Sequence, residues 1–235
     1  ETCVDMKTLF GRQLLIPFFP SPAALAVPAA AGILFDVSIP AMTCDAAALA
    51  QVPPLWGVVS NLGILLWCAA GAICVFAAVA VFRAGPRDAF RFLLFSALLT
   101  AYLLFDDFFQ FHENIAPRHL GLNEHAVVAA SGVATVAYLA AFWRFILLRT
   151  PFVILLLALG FFAAAVITDV LLEPWLLLWI GQWQYFIEDG AKWLGIACWC
   201  SYYAATAQHI LAGVYRLPDR DLGRRRLAAF VERDL

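Results

Sequence analysis

Long apolar runs separated by short polar punctuation dominate the chain. Six stretches are long and apolar enough to read as membrane helices, at about 14–36, 55–82, 90–111, 125–148, 151–173 and 184–212. A hydrocarbon core about 30 Å thick asks for ~20 such residues in a helix. The breaks between them carry helix-stopping residues: Pro53-Pro54, Gly85-Pro86, Arg149-Thr150-Pro151 and Glu173-Pro174. The pattern predicts an all-α fold, a polytopic transmembrane helical bundle of about six spans forming a single domain over 1–235. The first stretch is the least regular, because Pro17, Pro20, Pro22 and Pro28 fall within it. With Met6 as a start, Lys7 and Arg12 would precede it as in a signal peptide. Its length, and the lack of a small-x-small site before a polar segment, favour a retained helix.

Composition supports the same solvent. Hydrophobic residues make up 64% of the 235 residues and charged ones 14%, whereas soluble domains are roughly half apolar and a quarter charged. A soluble core cannot absorb that excess, and helices apolar on all sides belong in lipid or inside a bundle. The net charge of −2 leaves no basic footprint for nucleic acid. Four of the six cysteines, Cys68, Cys74, Cys198 and Cys200, sit in apolar runs as small hydrophobes. Cys3 and Cys44 would lie on opposite sides of the membrane, so no disulfide is expected between them.

Basic residues orient the bundle. Thirteen of the 15 Lys and Arg residues fall on one side of a six-span chain, in the segments around Lys7, Arg83 to Arg91, Arg144 to Arg149 and Arg216 to Arg233. Only Arg118 and Lys192 fall on the other. The positive-inside rule makes the first side cytoplasmic, with both termini there. It also reads 213–235 as an Arg-rich cytoplasmic tail that meets anionic headgroups. The expected location is a bacterial-type inner or plasma membrane, with the lipid bilayer and other membrane subunits as partners.

Acidic residues gather on the opposite, outer side, and ionisable groups in apolar helices are functional candidates. Asp106, Asp107, Gln110, His112 and Glu113 close the third stretch. On a continuous helix Asp106, Gln110 and Glu113 fall within about 60° of one another and His112 points away. His119, Glu124 and His125 follow in a loop. Asp169 and Glu173 close the fifth stretch, where Pro174 is expected to end the helix. Gln184, Glu188, Asp189 and Lys192 open the sixth. The order Glu188 to Lys192 suits a helical ion pair, and Gly195 would let a neighbouring helix approach. Ser60 and Asn61 start the second stretch on the same side.

Neighbouring carboxylates cannot all stay ionised cheaply without a cation or donors nearby. Asp106, Asp107, His112, Glu113 and Glu188 are therefore candidate ligands of a divalent metal. Mixed imidazole and carboxylate donors suit Zn, Mn or Fe, and oxygen donors alone suit Ca or Mg. The spacing contains no HExxH, HxxxH or ExxH signature. In an enzyme, Glu113 or Asp189 would be the general base.

The segment Trp56-Gly57-Val58-Val59-Ser60-Asn61, with the Asp-rich third stretch, loosely resembles the alkaline ceramidase and progestin-adipoQ receptor superfamily. That resemblance, over one short segment, implies a membrane hydrolase of seven helices with zinc held by three histidines. This chain departs from the pattern: its last stretch carries His209 alone, and six stretches stand in place of seven.

Three functions fit. The plainest is a structural, assembly or binding subunit of a membrane complex, with the polar cluster fixing the bundle. The second is a membrane-embedded metal-dependent hydrolase of a lipid-like substrate. The third is a cation or proton pathway. A path through the bilayer is poorly furnished, since 127–142 offers only Ser131, Thr135 and Tyr138 as polar groups.

Overall fold

The computed structural model describes residues 20–215 and is all-α. The chain divides into two compact units, Glu1–Gly57 and Val58–Leu235. In the first, α1 spans Pro20–Phe35, followed by two short helices, α2 (Ile39–Thr43) and α3 (Ala46–Ala50). Asp36, with φ of 53°, lies just beyond α1, and Gln51, at φ of 54°, closes α3.

The second unit holds α4 (Val58–Ala84), α5 (Arg87–Phe109), α6 (Ala116–Leu120), α7 (Glu124–Arg149), α8 (Phe152–Ile167), α9 (Glu173–Ile180) and α10 (Trp183–Val214). A π-helical turn, Phe111–Ile115, joins α5 to α6, and a second, Thr168–Leu172, joins α8 to α9. Helix α4 packs against α5 and α10, α8 packs against α10, and α7 touches α5.

Among the described residues, four helical segments are long and apolar enough to cross a membrane: Val58–Phe82, Arg87–Phe109, Glu124–Arg149 and Phe152–Ile180. They point to an integral membrane protein. This corrects the expected count of six. Residues 14–19 of the first expected span lie outside the described residues, and its described apolar part, Leu25–Phe35 of α1, is shorter than a span. The sixth expected span falls in α10, which has 32 residues but is not among the four. Gln184, Glu188, Asp189, Lys192, Gln208 and His209 dilute its apolar character. Packed between neighbours, α10 has less need of an apolar surface than a lipid-facing helix does.

The fifth expected span also runs further than Pro174 suggested. Pro174 occupies the first turn of α9, where its missing N–H costs nothing, and the helical path continues to Ile180.

The core of this unit is aromatic. Trp67 of α4 stacks on Phe162 of α8 with centroids 5.8 Å apart, and Trp199 of α10 meets both edge-on. Hydroxyls and an indole N–H stitch the helices together beneath that layer. Ser96 spends its own proton on the Phe92 carbonyl, so Tyr138 donates to Ser96 at 2.7 Å, and Tyr203 in turn donates to Tyr138 at 3.2 Å. Trp199 donates to Thr100 at 3.0 Å, and Tyr102 donates to Ser131 at 2.7 Å. Such bonds hold membrane helices in register, each contributing roughly 0.6 kcal/mol.

Candidate functional site

The site lies where the C-terminal end of α5 meets the N-terminal ends of α4 and α10. Local backbone geometry creates it. Helix α5 stops at Gln110, whose left-handed conformation (φ 49°, ψ 47°) breaks the helix before the π turn. The break swings His112 back over the end of α5. Its backbone N–H donates to Asp106 Oδ1 at 3.0 Å, and its ring Nδ1 meets Asp106 Oδ2 at 2.8 Å. This corrects the continuous-helix expectation that His112 points away from the acidic face. Glu113 Oε1 stands 3.5 Å from the other ring nitrogen.

The next carboxylate looks elsewhere. Asp107 pairs with Lys192 of α10 and accepts a hydrogen bond from Trp67 Nε1 of α4 at 3.2 Å. One side chain thus ties three helices together. Lys192 therefore pairs across helices with Asp107, while Glu188, its expected partner, accepts a 2.8 Å bond from Gln184 Nε2. Lys192 remains close enough for its charge to act on Glu188, as do Asp169, Glu173 and Asp189. The acidic ends of the fifth and sixth expected spans thus come together, as do Lys192, Asp107 and Glu113.

Protonation follows from these partners. His112 is held above its ordinary value, first by the hydrogen bond to Asp106 and then by the charges of Asp106 and Glu113. Burial and the Lys192 charge oppose the rise.

A small cavity of ≈ 30 Å³ opens beside Lys192, about the room of one water molecule. Its polar walls are Ser60, Asp107, Asp189, Lys192 and Trp193. The Trp193 indole N–H is buried without a partner, and so is Oε1 of Gln184.

Among the described residues, no group of three or more His, Cys, Asp or Glu side chains is placed to hold a metal ion. Of the five candidate ligands, Asp106, His112 and Glu113 gather at the π turn, Asp107 turns to Lys192, and Glu188 to Gln184. Gln110 bonds Asn114 on the surface. Asn61, His119, Glu124 and His125 are exposed. Asn123 caps α7 by accepting from the Ala126 N–H.

Trp67, the partner of Asp107 on α4, is not among the candidates that the sequence offers. Helical spacing could have aligned it, since Ser60 and Trp67 lie seven residues apart on one face of α4.

Comparison with protein families matches the chain over residues 22–206 to the family described as Domain of unknown function (DUF8692). The chain belongs to the DUF8692 family. No curated protein and no solved structure matches it. The matched region of this DUF8692 member takes in Asp107, Lys192 and Ser60 and stops short of the Arg-rich tail.

Proposed function

We propose that this protein is a multi-pass membrane protein acting as a non-catalytic assembly or binding subunit, with its acidic end outside and its basic segments inside. The observation that carries the reading is the condition of α7. Only 11% of its most apolar window is buried, against 22–39% for the other three candidate spans. Its exposed face is built from small residues, including Ala129, Gly132, Ala137 and Ala140, with Val133 and Val136. Lipid would cover such a face, but small residues make shallow lipid contacts and allow a second helix to approach closely. A helix of a partner subunit fits that face better than acyl chains do. The acidic end then serves as an internal clamp of α4, α5 and α10.

The test is cross-linking in native membranes from single cysteines at Gly132 and Ala140, followed by mild-detergent purification. Discrete adducts at these two positions, and none from Leu156 of α8, are expected. A protein that runs alone from every position would sink the reading. Sidedness is tested with an impermeant thiol reagent. A cysteine within 113–124 should react from outside and one within 84–88 should not.

A second reading rests on the cavity beside Lys192. In it the protein is a hydrolase of a lipid-like substrate, and Asp189 takes a proton from a water held near Ser60. Glu113 would be the base if a divalent metal were bound at Asp106 and His112. Elemental analysis of purified protein, beside an Asp106→Asn variant, decides the metal-dependent form. Metal present in the parent and lost in the variant would favour it.

A further inference from the structure

The end of the bundle opposite the acidic cluster carries a larger pocket, of ≈ 380 Å³, which neither the acidic site nor the α7 face uses. Three helix ends build it: the start of α5 at Pro86 and Ala89, the last turn of α7 at Phe145 and Arg149, and the last turns of α10 from His209 onward. Ala89 and Ile210 are buried, so the floor is apolar. Among the described residues, its ionisable linings are Arg149 and His209, both basic types. The Arg149 guanidinium lies over the Phe145 ring, 5.8 Å from its centroid, which holds the charge along the pocket wall. The ion pairs among the described residues use other groups and leave Arg149 and His209 out.

The start of α5 adds to this. Pro86 supplies no side-chain cap, and its carbonyl takes the N–H groups of Ala89 and Phe90. The first-turn N–H groups ahead of them have no intrahelical acceptor, and the partial positive charge of the helix dipole there is offset in part by the Asp88 carboxylate of the same turn. An anion in the pocket would meet a guanidinium and an imidazole, beside the start of α5. An apolar chain attached to that anion would meet Ile210 and Phe145.

We propose that this pocket binds the phosphate headgroup of an anionic lipid. Volume, apolar floor and basic rim together match an amphiphile with a negative head. Basic pockets between membrane helices take lipid headgroups in this way. A soluble phosphate would satisfy Arg149 and His209 but leave the apolar floor unused.

The experiment is native mass spectrometry of the full chain in mild detergent with equal amounts of phosphatidylglycerol and phosphatidylcholine. Two variants accompany the parent. Arg149→Gln with His209→Gln removes the basic rim. Gly213→Leu keeps both basic groups and fills space, because a Cβ at Gly213 meets nothing within 4 Å. The parent is expected to retain phosphatidylglycerol about tenfold over phosphatidylcholine, the scale of one charge-assisted hydrogen bond. The double variant should lose that preference, and Gly213→Leu should lose adducts of both lipids. Inorganic phosphate should displace neither. Equal retention of the two lipids by the parent would overturn the proposal. So would an unchanged preference in the double variant, or displacement by phosphate alone. If the double variant melts early, Gly213→Leu decides, since unchanged phosphatidylglycerol retention there also overturns the proposal.

Discussion

Asp107 on α5 forms an ion pair with Lys192 on α10, although Asp106, its neighbour in sequence, turns to His112 instead. Adjacent residues on a helix point about 100° apart, so one can face the bundle while the other faces the turn that follows. The Asp107 side chain is 9% exposed and that of Lys192 38%. Removing one partner from a buried pair costs about 3–5 kcal/mol. The exposed part of Lys192 keeps some solvation, which reduces the expected cost of Asp107→Asn to about 2 kcal/mol. Lys192→Gln should cost a similar amount. The double variant should be more stable than the sum of the two losses implies, because neither charge is then left alone. Thermal melts in detergent of the parent, both single variants and the double variant check this. Strictly additive losses would mean that the pair contributes no coupling.

His112 makes stability depend on pH. Its pKa in the folded protein is raised, mainly by the bond to Asp106. The unfolded chain titrates near the ordinary value of about 6.5. A group with a raised folded pKa contributes its full stability below the unfolded value and loses it as pH rises through the folded value. The parent should therefore lose stability relative to His112→Gln from about pH 6.5 upward. Below that pH the difference between the two should be constant. Melting temperatures across this window, at fixed ionic strength, test the sign. A gap that widens as pH rises would refute the assignment.

Much of the frame was legible in the sequence, for a physical reason. Lipid demands long apolar helices, and composition reports that demand directly, so 55–82, 90–111 and 125–148 coincide closely with α4, α5 and α7. Helix α10 reads as a span on its apolar stretch alone, but Gln184, Glu188, Asp189, Lys192, Gln208 and His209 leave it outside the four candidate spans, and burial makes room for them. Its Trp199, Tyr202 and Tyr203 are fully buried against other helices. The gathering of carboxylates around Glu188 and Lys192 was also legible, since charges in apolar runs stand out. Their pairing was not. The Asp106–His112 contact depends on the positive φ at Gln110, which no periodicity signals, and the Asp107–Lys192 pair on the rotation of α5 against α10.

Gly195 shows a case where spacing alone found a packing contact. It continues the stripe of Gln184, Glu188 and Lys192, and it is buried where α10 meets α8. A Cβ placed there would stand 2.7 Å from two carbons of the Phe162 ring. Phe162 has little room to yield, because it stacks on Trp67 and meets Trp199 edge-on. Gly195→Ala must therefore separate α8 from α10 or unstack Phe162. Alanine favours a helix over glycine by about 1 kcal/mol, which works in the opposite direction. Overpacking in a tight core costs about 1–3 kcal/mol, so net destabilisation of about 1 kcal/mol is expected. Pairing Gly195→Ala with Phe162→Leu should recover part of the loss, since the smaller side chain makes room for the new methyl. Thermal melts of Gly195→Ala, Phe162→Leu and the double variant measure it. A Gly195→Ala protein more stable than the parent would show that helix propensity outweighs the α8–α10 contact.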